Sequence, residues 1–147
     1  MSTEENKAIA RRWIEEWFSK HNQSVVDELV APDFIDHGRP GQQPGPEGIK
    51  QGATANDSAF SDLHFAIDDL IAEEDKVVAF GSWTGVHQGE LSTSLGTVPA
   101  TGNRVIVPAM IIFRIADGKI AEQWGIMEEV SLLKQIGAIS TPDQAAA

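Results

Sequence analysis

The chain has 147 residues, with 11 Lys and Arg against 22 Asp and Glu, no Cys, and a formal net charge of −11. That balance disfavours nucleic acid, which needs clustered cations against phosphate, and it disfavours anionic membrane surfaces. The missing Cys excludes disulfides, thiolate catalysis and Cys-ligated metals. The length predicts one domain over residues 1–140 with a buried core, and a flexible tail at 141–147. The polar start, MSTEENKAIARRW, lacks the apolar centre of a signal peptide. No apolar run approaches the roughly 20 residues of a membrane span, so a cytoplasmic protein is expected.

Ser2-Thr3-Glu4-Glu5 is a helix-capping signal, and Ile9, Trp13, Ile14, Trp17 and Phe18 recur at helical spacing behind it. The aromatic stripe either packs a core or walls a ligand pocket. A second short helix is expected from Ser24 to Leu29 or Val30, ended by Pro32. Phe34-Ile35 reads as a short strand or extended turn. His37 follows Asp36 and precedes a Gly/Pro-rich loop, 38–46, where a side chain poised near neutral pH could act. Pro46 and Glu47 suit the first turn of a third helix reaching Phe60.

Ser61 to Ile71 alternates as a strand, with His64 on its polar side. After an acidic turn at Glu73 to Lys76, Val77 to His87 is a second strand. One of its faces carries Gly81, Trp83, Gly85 and His87. Glycines beside a large ring either leave space on a concave face or let strands bend sharply. Residues 88–101 read as a long loop of the kind that often covers a binding site. Ser131 to Gly137 reads as a short helix stopped by Gly137.

Between them lies the clearest local signal, RVIVPAMIIFRIADGKIAEQWGIMEE. Asp117-Gly118 between apolar runs predicts a two-residue hairpin, because both turn positions need φ > 0. An uninterrupted ladder then sets Phe113 opposite Glu122, Ile111 opposite Trp124 and Val107 opposite Glu128. That register puts two carboxylates, Glu122 and Glu128, into an apolar face. Glu122 there would have a raised pKa, unless it reaches Arg114 or Arg104. Glu128 is also placed to act as a carboxylate at a helix N-terminus. A bulge would reverse every face beyond it. Helices first and a curved antiparallel sheet after make the class α+β.

The strings FIDHGRPGQQPGPEGIKQ, FSDLHFAIDDLIAEEDKVVAFGSWTGVHQGE, PATGNRV and IIFRIADGKIAEQWGIMEEVSLLKQIG, in this order, resemble the SnoaL-like polyketide cyclases. The resemblance runs from about Ile9 to Gly137. It implies a cone-shaped α+β barrel, with N-terminal helices on a strongly curved mixed or antiparallel sheet around a deep apolar pocket. It implies acid–base chemistry on a carbonyl compound without metal or cofactor, and a homodimer through the outer sheet face, here Pro108, Met110, Ile112 and Met127. The family's usual acid lies near the Trp of the last strand; here Gln123 and Gly125 flank Trp124, and the preceding strand has no His.

Two functions are therefore expected as alternatives. The first is a small cyclase, isomerase or hydrolase acting on an apolar carbonyl or epoxide. Glu122 or Glu128 would transfer protons, His37 or His87 would assist, and Trp17, Phe34, Trp83, Ile111, Gln123 and Trp124 would line the pocket. The second is a non-catalytic protein that binds a small apolar ligand in the same pocket. The two His residues lack the spacing and companions of a metal site, so no metal is expected.

Overall fold

The computed structural model describes residues 2–140, with the side chains of 53–57 excepted. The expected tail at 141–147 lies outside the described residues. Helix α1 (Thr3–Trp13) opens on an N-cap at Ser2, whose hydroxyl accepts from the Glu5 amide at 3.1 Å and donates to the Glu5 carboxylate. It continues into a π-helical turn, Ile14–Ser19, in which Trp17 stacks on Trp13 with centroids 5.6 Å apart. Such turns are rare and cluster near functional sites. Helix α2 (Ser24–Leu29) runs straight into strand β1 (Val30–Asp36), and α3 (Pro46–Ala59) follows the Gly/Pro-rich loop.

Strands β2 (Phe60–Glu73), β3 (Lys76–His87), β6 (Arg104–Ala116) and β7 (Lys119–Met127) pair antiparallel in sequence. β1 joins the far edge parallel to β7, giving the order β1-β7-β6-β3-β2. The fold is thus α+β with a mixed, strongly curved sheet, as the sequence implied. The sheet is curved but not closed into a barrel; β1 and β2 remain as edges. The expected loop at 88–101 contains a small ribbon, β4 (Leu91–Thr93) with β5 (Gly96–Val98). Helix α4 (Glu129–Gln135) ends the domain, two residues earlier in the chain than the Ser131 start expected. Among the described residues, no helix is long and apolar enough to cross a membrane.

Two apolar cores form on the concave side. One packs Ala10, Trp13, Ile14, Val25 and Val26 from the helices against Val77, Ile111 and Phe113. The other packs Phe60, Val105, Val107, Leu132 and Ile136. Trp83 touches both cores. Its flanking glycines answer the question left by the sequence. A Cβ on Gly81 would sit 1.9 Å from the Ala66 carbonyl oxygen, and one on Gly85 would meet Leu63 at 3.0 Å. The room beside Trp83 is filled by β2, so these glycines allow close strand approach and bending. β2 itself carries register shifts between Ser61 and His64 and between Ile67 and Asp69, which sharpen the bend.

This contrast is testable. Gly81→Ala forces backbone against backbone and should cost on the order of 3 kcal/mol or more, well above a typical surface change. Gly125→Ala, whose Cβ would meet nothing within 4 Å, should unfold in urea within about 0.5–1 kcal/mol of the parent.

Candidate functional site

The hairpin forms at Asp117-Gly118, with φ of 51° and 75°, but its ladder is interrupted. Ile115 pairs with Ile120, and the next pair is Arg114 with Glu122, so Ala121 is an extra residue. The expected pairs beyond it are therefore corrected by one place: Gln123 lies opposite Phe113, Trp124 opposite Ile112, and Gly125 opposite Ile111. Met127 lies opposite Ala109 as the last pair of this ladder, so Val107 has no partner on β7, and Glu128 instead donates its amide to the Pro108 carbonyl. Gln123, Gly125 and Met127 turn to the concave face. Glu122, Trp124 and Ile126 turn to the convex one.

The concave face holds a cavity of about 400 Å3 between the helices and the sheet. Trp17, Phe34, Trp83, Ile111 and Gln123, all expected as ligand-binding, line it. Trp13, Phe18, Phe60 and Phe65 add to an aromatic wall, with Phe60 edge-on to Trp83 at 5.1 Å. The carboxylate on this wall is Asp36, whose side chain is only 10% exposed. Its Oδ1 accepts the Gly38 amide at 2.9 Å, and its Oδ2 accepts the Gln123 side-chain amide at 3.3 Å. Arg39 stands 3.8 Å away by its Nε. A carboxylate has about four acceptor positions, so capacity remains for a substrate proton. Two polar atoms in the wall, Trp13 Nε1 and Gln123 Oε1, have no hydrogen-bond partner among the described residues.

The other expected site residues lie elsewhere. Glu122 is on the convex face, bonded to Arg114 Nε and to His37 Nε2 (2.9 Å). His37 stacks on Trp124 with centroids 4.7 Å apart and planes 10° from parallel. Arg114 foremost, and then His37, hold the Glu122 carboxyl below its usual value. The raised pKa expected of a buried base is thus reversed, and Arg104 pairs with Asp62 instead. His87 is fully buried behind Phe60, its Nδ1 bonded to the Thr101 hydroxyl at 2.9 Å, and does not reach the cavity. Its backbone ties down Gly102 and Asn103, which suits a structural post. Glu128 is exposed just before α4, away from the cavity, with its carbonyl receiving the Leu132 amide.

The sequence alone points to His37 rather than to its neighbour Asp36. The signal was present in strand parity: Phe34 is apolar and buried, so Asp36 shares its face and His37 does not. Arg39 and Gln42 also line the cavity from the following loop, where no periodicity could point to them.

The site is thus a curved sheet with helices over a mostly aromatic cavity and, among the described residues, one inward carboxylate. The SnoaL-like polyketide cyclase profile matches residues 8–136, and the chain belongs to that family. Solved structures similar to it include TsrD from Streptomyces laurentii, 26% identical, covering 95% of this chain and 99% of that one, TM-score 0.81. AclR from Streptomyces galilaeus, a proposed hydroxylase, is 26% identical over 99% of this chain and 89% of its own, TM-score 0.79. IdmH from Streptomyces antibioticus, a proposed polyketide cyclase, is 26% identical over 90% and 98%, TM-score 0.74. No curated protein matches the sequence.

The convex cluster gives a pH prediction. A carboxyl depressed by folding stabilises the fold above its unfolded value, here the ordinary 4.5, and loses that contribution as pH falls through the folded value. Glu122→Gln should therefore cost about 1 kcal/mol at neutral pH. The gap to the parent should shrink in acid well below 4.5, as followed by urea unfolding at both conditions.

Proposed function

We propose that the cavity binds a small apolar carbonyl compound and that Asp36 removes a proton from the carbon beside the carbonyl. This is the opening step of an aldol-type ring closure or an isomerisation. The observation that supports it is the Asp36 carboxylate, set in an aromatic wall and held by neutral donors, with acceptor positions to spare. The Gln123 amide and the Gly38 amide fix the carboxylate's orientation, as a base aimed at C–H requires. Trp13 Nε1, a donor without a protein acceptor, is available to the enolate oxygen. Family membership favours the cyclase form of this chemistry.

A binding-only reading is favoured by one observation: Gln123 and Gly125, the inward residues of β7 nearest Trp124, carry no ionisable group. The two readings separate on one measurement, deuterium exchange at the acidic carbon of an apolar 1,3-diketone, followed by NMR. The catalytic reading expects exchange by the parent and a fall of about 10²–10⁴-fold in Asp36→Asn, with diketone binding retained. Binding without exchange by the parent would establish the second reading. Exchange undiminished in Asp36→Asn would remove Asp36 from the mechanism.

We further propose a homodimer through the convex face. Phe80, Met110 and Ile126 are 46%, 40% and 63% exposed there, beside the half-buried Pro108 and Ile112. By register Met127 lies on the concave face and leaves the patch expected from sequence, and Ile126, opposite Met110, takes its place; all three also reach the cavity rim. Such a contiguous apolar face suits an interface. Sedimentation should show a dimer at micromolar concentration and a monomer for Met110→Lys with Ile126→Lys; a monomeric parent would refute the proposal.

A further inference from the structure

We infer that the natural occupant of the cavity is an apolar acid, whose anionic head rests on the Arg39 guanidinium at the cavity mouth. This deepens the functional reading above and rests on it. Arg39 lines the cavity, yet its side chain is 42% exposed. A side chain that faces both cavity and solvent stands at the entrance. It is the one Lys or Arg among the described residues that line this space.

The guanidinium is largely uncommitted. Its recorded contact is the Nε approach to Asp36 Oδ2 at 3.8 Å, an ion pair too long for a hydrogen bond. Among the described residues both terminal nitrogens therefore keep their donors, in the planar fork that matches a carboxylate or phenolate. Gln42 stands beside it. A Cβ built on Gly52 would meet Arg39 Nη1 and Gln42 Oε1, each at 3.1 Å. Both side chains thus converge over that glycine, which leaves them the room to do so. The Gln42 amide adds N–H donors next to the fork. Behind this polar rim the wall is aromatic, formed by Trp17, Phe34 and Trp83 among others. A charged rim with a greasy interior fits a molecule with an anionic head and a flat apolar body.

The protein's overall charge makes the inference sharp. At a net −11 the general field repels anions. A preference for an acid over its neutral ester must then come from local donors, and the Arg39 guanidinium with the Gln42 amide beside it supplies them at the mouth.

The experiment is a pair of fluorescence titrations, using tryptophan quenching by 2-naphthoic acid and by methyl 2-naphthoate. The parent should bind the acid about tenfold more tightly than the ester at low salt, the ratio shrinking as salt is added. Arg39→Gln should erase the ratio, and Arg39→Lys should keep part of it, since it retains the charge without the fork. An ester bound as well as the acid by the parent, or an unchanged ratio in Arg39→Gln, overturns the inference while leaving the apolar pocket intact. A parent that binds neither probe overturns the inference together with the functional reading beneath it.

Discussion

One extra residue in β7 decides the chemistry of both faces of the sheet. Because Ala121 has no partner on β6, the alternation of side chains reverses beyond it. Glu122 and Trp124 are carried outward to meet Arg114 and His37, and Gln123 and Gly125 are carried inward to the cavity. Without the slip, a carboxylate and an indole would stand where the structure has an amide and a glycine. The bulge also sits beside β1, whose Asp36 registers with Gln123. The inward carboxylate and its amide donor thus meet because of the same local irregularity.

The cavity survives because its surroundings are rigid. The two apolar cores lie on either side of it and share Trp83, so collapse would require both to repack. Interiors resist such change, since each is close-packed and every side chain sits near a rotamer minimum. At about 400 Å3 the space falls within the usual range for small-molecule sites. The two carboxylates on opposite faces differ in the way that matters for function. Glu122 is saturated by a guanidinium and an imidazole, which stabilises its charge and makes it a poor base. Asp36 has neutral hydrogen-bond donors and only a loose cation, so its charge is oriented without being neutralised.

Much of the fold was legible in the sequence for simple reasons. The Ser2 cap, the Asp117-Gly118 turn and the strand periods are local signals, each with a short-range cause. Pocket residues on unbroken alternation, such as Trp83 and Ile111, could be placed for the same reason. The register beyond Ala121 could not, because a bulge leaves no mark in an apolar run: Ile120-Ala121 reads equally well with either residue paired. Glu122 and Trp124 were misplaced by that single step. His87 looked functional at a strand end, but its burial comes from Phe60 and Thr101, which lie far away in the chain. The β4–β5 ribbon was missed because three-residue strands are too short to show a period.

The resemblance to the cyclases implied an acid on the last strand, and β7 supplies none on its inward face. The geometry of a sheet shows why that does not empty the site. Neighbouring strands lie about 4.8 Å apart, roughly the reach of one side chain. Asp36, inward on β1 and in register with Gln123, therefore presents its carboxylate to nearly the same volume a β7 acid would occupy. Gln123 serves it as a donor, and Gly125, whose Cβ position is open, leaves space for a ligand at the next inward step. A carboxylate on β1 and an amide on β7 thus share one stretch of the cavity wall.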